Sequence, residues 1–128
     1  MSHGDSSDKI VVPPTKGHFQ GELYIGPVIG AVPAGTKTTE AERVHGSLIV
    51  GHSETGHHHV VEAADARLLE TPDPLVAYLV AEGAYADLVH RRTFDQHPTL
   101  VLGFEGGGVR KVIRQREMSP AGWTRAAD

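Results

Sequence analysis

The chain has 128 residues, 39% hydrophobic and 22% charged, a size and balance that suit one globular domain with a single core. Its formal charge of −4 argues against a protein whose main task is neutralising phosphates, and the absence of cysteine excludes disulfides, iron–sulfur clusters and thiolate zinc sites. No apolar run approaches the roughly 18 residues that a membrane helix needs, so neither nucleic acid nor a membrane is the expected partner.

Residues 1–16 read as a flexible arm before a single β domain over 17–128. Met1 to Lys9 is polar and lacks the apolar core of a signal peptide. Ile10-Val11-Val12 is a short β-type run stopped by Pro13-Pro14, and Gly17 to Gly21 is a turn region. Glu22 to Ile25 alternates polar and apolar until Gly26-Pro27 breaks it; Val28 to Val32 is apolar, and Thr36 to Arg43 is a loop or one helical turn. A histidine-rich hairpin follows over 45–64, and Asp65 to Glu70 continues as a strand after a bend. Leu75 to Glu82 is bounded by a turn and by Gly83, which favours a strand on length. Ala84 to His90 and Thr99 to Leu102 are strands, Gly106 to Gly108 is a turn, and Val109 to Arg116 is the last strand. Ser119-Pro120 has the form of a helix cap followed by proline at the first helical position, so a short C-terminal helix or turn carrying Trp123 is expected.

The 15 glycines and 8 prolines punctuate the chain rather than cluster. Many short strands with frequent turns give an all-β fold, a small single-domain barrel or sandwich, with a cupin or jelly-roll form among the barrels.

Four of the nine histidines lie between Gly51 and Val60. With Ser53 to Gly56 as the turn, His52 faces His57 and Val50 faces His59 across the hairpin. Strand alternation puts His52, His57 and His59 on one face above Leu48 and Val61, and His58 and Glu62 on the other. Opposed cross-strand Cβ atoms lie about 5 Å apart, so these three imidazoles can converge on a divalent zinc, iron or nickel ion. His90 and His97 are candidates for a fourth ligand, and Glu54 for a ligand or supporting partner. The same histidines can instead hydrogen-bond to loop backbone as a polar plug at one end of the fold. Gly51, five residues, then His57 and His59 reproduce the opening of the first cupin motif; the second cupin motif is absent.

Arg110, Lys111, Arg114 and Arg116 form the main basic cluster. On a strand it reads as a solvated outer face guarded by charge, or as a surface for an acidic partner. Gly103 to Gly108 is glycine-rich but is not followed by the helix of a phosphate loop, and nothing selects a catalytic triad.

The chain resembles a group of small proteins found in bacterial genomes and in tailed bacteriophages or prophages. The resemblance rests on Gln20 to Ile25, Val32 to Gly35, Leu48 to His59 and Arg114 to Trp123, with the Thr-Gly-His-x-His core and the Arg-Gln-Arg-Glu tail its distinctive parts. Members often carry a histidine-rich segment where this chain has His90-Arg91-Arg92-Thr93; only His90 remains here, with His97 further on. The phage side of the resemblance implies a non-enzymatic capsid decoration (cement) protein. Its partners would be the major capsid protein and further copies of itself. It would reach the virion surface after assembly in the host cytoplasm. A cupin-like, cytoplasmic metal-binding protein or metalloenzyme is the alternative.

Overall fold

Most of the strands are short runs rich in valine, leucine, isoleucine and tyrosine, cut by glycine and proline. The computed structural model describes residues 9–20, 22–51, 58–91, 99–114, 116–119 and 122–125. The strands are β1 (Ile10–Val12), β2 (His18–Gln20), β3 (Leu23–Ile29), β4 (Thr39–Glu40), β5 (Leu48–Gly51), β6 (His58–Val61) and β7 (Ala66–Glu70), followed by β8 (Val76–Ala81), β9 (Tyr85–Arg91), β10 (Leu100–Gly103), β11 (Gly108–Arg114), β12 (Arg116–Ser119) and β13 (Gly122–Arg125). No helix occurs among the described residues.

One sheet has the order β1-β10-β9-β6-β5, a second has β2-β3-β11-β8-β7-β4, and β12 pairs with β13 apart from both. β1 runs parallel to β10, whereas the other pairings are antiparallel. Both large sheets end in edge strands, so the fold is a sandwich rather than a closed barrel. Leu48, Val61, Leu88, Leu100 and Leu102 of the first sheet meet Leu23, Ile25, Leu68, Leu79 and Val112 of the second in one core, each no more than 2% exposed. Full burial of one such side chain contributes about 1.5–3 kcal/mol.

β11 departs most from the sequence expectation. Its arginines do not form a solvated outer face: Arg110, Val112 and Arg114 all point inward, and Lys111 is exposed. The Arg110 guanidinium, 0% exposed, donates six hydrogen bonds to five backbone carbonyls. Nη1 reaches Lys16 and Gly26, both at 2.8 Å. Nη2 reaches Pro13 at 2.8 Å, Val12 at 3.2 Å and Gly103 at 2.8 Å, and Nε also reaches Gly103 at 3.1 Å. The Phe104 ring lies 5.5 Å from the guanidinium carbon, within cation–π range. Burial pulls the Arg110 pKa below its ordinary value by desolvation, yet a guanidinium stays charged at physiological pH.

A bulge supplies one of these carbonyls. Val28 pairs with Arg110 and Ile25 with Val112, so Gly26 and Pro27 together oppose Lys111. Pro27, which has no N–H to give, sits where the ladder is already interrupted, and β3 runs on through the expected break. The Gly26 carbonyl is thereby free to accept from Arg110.

Three other segments differ from expectation. His18–Gln20, placed in a turn region, is the strand β2 paired with β3. Thr36 to Arg43 contains β4, which pairs Thr39 with Glu70 and Glu40 with Leu69. At the C-terminus, where a short helix or turn carrying Trp123 is expected, the described residues form no helix: Met118 pairs with Trp123 and Ser119 with Gly122 in the β12–β13 hairpin. Within the stretch read as an arm, β1 pairs with β10 and Val12 enters the core; residues 1–8 lie outside the described residues.

Arg110→Met should lower the free energy of unfolding by about 3–5 kcal/mol, because it strands several buried carbonyls at once. Arg110→Lys should recover little of this, since an ammonium cannot reproduce the planar fork. Lys111→Met on the exposed side of the same strand should stay within about 0.5 kcal/mol of the parent. Urea-denaturation midpoints of the three variants check this.

Candidate functional site

The hairpin of β5 and β6 starts in the expected register, with Leu48 opposite Val61 and Ile49 opposite Val60. It then slips by one residue: Gly51, not Val50, faces His59. Two contacts account for the bulge at Val50. The Val50 carbonyl accepts a 2.8 Å hydrogen bond from Arg114 Nε, so it serves the opposite sheet. Gly51 presses against Leu23, where an added Cβ would lie 3.0–3.2 Å from the leucine side chain. Gly51, which the sequence offers as the first residue of a cupin-like motif, is therefore accounted for by close packing between the two sheets.

Arg114 extends this corner. Its Nη1 and Nη2 grip the Glu70 carboxylate at 2.9 and 3.1 Å, and Nη1 also reaches the Pro74 carbonyl at 3.0 Å. This bidentate pair ties β11 to β7 and, through Val50, to β5.

His59 lies on the core face of β6 and is 2% exposed. Its Nδ1 is 3.8 Å from Oε2 of Glu22, which is also buried, just before β3. Gln20 is buried at the same end of the sheet, two residues earlier. At 3.8 Å the His59–Glu22 contact is at ion-pair distance and beyond a hydrogen bond. A carboxylate beside one ring nitrogen orients an imidazole and raises its basicity, which suits a metal-binding histidine. The same pair can also serve as a buried structural ion pair.

The other candidate ligands fall as follows. His90, on the neighbouring strand β9, is the direct cross-strand partner of His59. His52, His57, His97 and Glu54 lie outside the described residues. No group of three or more histidine, aspartate or glutamate side chains that could hold a metal occurs among the described residues. His58 and Glu62 lie on the outer face, away from His59, as strand alternation expects; Ser47 Oγ donates to Glu62 Oε2 at 3.3 Å.

Glu22, Glu70 and the inward arginines are the polar groups that the sequence reading missed. One signal could have found the arginines. Arg110, Val112 and Arg114 share a strand face, and Val112 marks that face as apolar. Glu22 carries no such signal, because a polar residue beside a turn ordinarily faces water.

The family model described as Domain of unknown function (DUF8820) matches residues 19–115, and the chain belongs to that family. The matched stretch contains the hairpin, Arg110 and Arg114, but not β1 or the β12–β13 hairpin. No curated protein and no solved structure gives a match.

His59→Ala should cost about 2–5 kcal/mol of stability, as other large-to-small changes in cores do. Combined with Glu22→Gln in a double-mutant cycle, it should show a coupling of about 0.5–3 kcal/mol. Additivity within about 0.5 kcal/mol in thermal or urea unfolding would mean that the approach carries no pairing energy.

Proposed function

We propose that this DUF8820 member is a non-enzymatic structural protein of a phage particle, which binds the capsid surface as a decoration protein and associates with copies of itself there. The observation that carries the proposal is the apolar character of two edge strands. β1 exposes Val11 at 61%, and β2 exposes Phe19, also at 61%, with its ring tilted at 45° against Tyr24 at a centroid distance of 4.6 Å. A short edge strand offers backbone groups to an added strand, and its apolar side chains give that addition affinity. The phage side of the sequence resemblance supplies the capsid as partner. The arginine-stapled sandwich supports a passive, rigid role, because its most demanding polar groups are used within the fold.

The protein should sediment with purified particles on a density gradient. Recovery only from soluble host lysate overturns the proposal. A Val11→Lys, Phe19→Lys double variant should keep its melting temperature within a few degrees, yet lose about tenfold or more in particle occupancy, as loss of interface anchors does.

A second reading is favoured by the buried His59–Glu22 approach. Here His52, His57 and His59 hold a divalent metal, with His90 and His97 as further candidates and the Glu22 carboxylate orienting His59. Elemental analysis of untagged protein above pH about 6.5, where free imidazole is mostly neutral, should then find a stoichiometric metal. A His57→Ala, His59→Ala variant should lose that metal. Metal-free parent protein rejects this reading and leaves the structural one standing.

A further inference from the structure

The six-stranded sheet carries an apolar row on the side that faces away from the core, where an antiparallel sandwich is ordinarily polar. Phe19 pairs with Tyr24, Tyr24 with Ile113, and Ile113 with Val76, so the row runs straight across β2, β3, β11 and β8. Three strand spacings make it about 14 Å long. The chain neighbours Leu23, Ile25, Val112 and Ala77 point into the core, which turns Tyr24, Ile113 and Val76 outward. Phe19 is exposed, and Tyr24, Ile113 and Val76 are partly exposed. Lys111 borders the row on β11, and Asp73 is exposed in the turn that precedes Val76.

The C-terminal hairpin has the complementary need. β12 and β13 join neither large sheet, and an isolated two-stranded hairpin is marginal in water. They lie beyond residue 115, where the family match ends. Their register opposes Met118 to Trp123 and Arg116 to Arg125, so these four residues share one hairpin face. The hairpin has no room to turn back over its own sheet. Arg114, the last residue of β11, is held by Val50, Glu70 and Pro74, and Gln115 alone separates it from β12. The commonest tight reversals between strands take two residues. The nearest equivalent row within its reach is therefore that of another copy.

We propose that two copies of the chain exchange these hairpins. Met118 and Trp123 of each copy cover the Phe19–Tyr24–Ile113–Val76 row of the other, with Arg116 and Arg125 turned toward Asp73 and away from Lys111. Reciprocal exchange makes the contact isologous and closes it as a twofold dimer. Each hairpin strand has four residues, so the hairpin is about 13 Å long, close to the length of the row. Burial of a tryptophan and a methionine against aromatic and β-branched side chains drives the association. The inference rests on the self-association in the structural reading above and names its contact, and it needs no capsid.

Trp123 is the one tryptophan of the chain, so its fluorescence reads the contact directly. Purified full-length protein, without particles, is taken from micromolar to millimolar concentration, and its mass is followed by sedimentation. The emission should move to the blue as monomer becomes dimer. Trp123→Ala and Phe19→Lys should each weaken dimerisation by about tenfold or more, with unchanged circular dichroism. Adding the tryptophan-free Trp123→Ala protein to the Phe19→Lys protein should restore the blue shift, because an intact hairpin then meets an intact row. The proposal is overturned by a monomer at millimolar concentration, by blue-shifted emission already present in the monomer, by dimerisation that survives either substitution, or by no restoration in the mixture. The assay contains no particles, so its failure leaves capsid binding to the density-gradient test.

Discussion

One buried guanidinium joins segments that lie almost a hundred residues apart in the chain. Arg110 takes carbonyls from Val12 and Pro13 at the end of β1, from Lys16 before β2, from Gly26 in the β3 bulge and from Gly103 at the end of β10. Those segments belong to both sheets, so one side chain sets how the sheets are joined at that end. The charge has no carboxylate among these partners; carbonyl dipoles solvate it instead. The arrangement is stable only while nearly all of its donors are used, because a buried charge with missing partners costs several kcal/mol. Irregular features nearby follow from this demand. The Gly26-Pro27 bulge turns a carbonyl inward, and the Pro13-Pro14 corner presents another.

Arg114 applies the same chemistry four residues later with a different balance. It has a carboxylate partner in Glu70, and its Nε takes the carbonyl that the Val50 bulge releases. Arg43 repeats the device at a third corner, holding Gly46, Ala63 and Ala66 by their carbonyls. In a chain without cysteine, these arginines do the cross-linking between loops that a small secreted domain would leave to disulfides.

The staples also bear on function. The bulge that answers Arg114 fixes which residue faces His59. Any metal chemistry there would depend on a polar corner built first for packing. Exposed apolar side chains lie elsewhere, with Val11 on the edge strand β1 and Phe19 on the edge strand β2. The described part of the hairpin therefore has two different faces: an inner one with His59 committed to the core and an outer one carrying His58 and Glu62.

The sequence by itself determined the all-β class, most strand positions from β5 to β11, and the segregation of His59 from His58 and Glu62, because these depend on turn residues and on a period of two. It did not determine β2 or the β12–β13 hairpin. The residues of β2 are polar at both ends, and Ser119-Pro120 carries a helix-start signal that strand pairing overrides. Nor did it determine the roles of Arg110, Arg114, Glu22 and Gly51. Arginine on a strand reads as surface until the carbonyls that can satisfy it are known, and those carbonyls are contributed by remote segments. The one-residue slip at Val50 has the same origin, since the competing hydrogen bond comes from the opposite sheet. Only tertiary structure brings such partners together, and it decided which polar residues this core could bury.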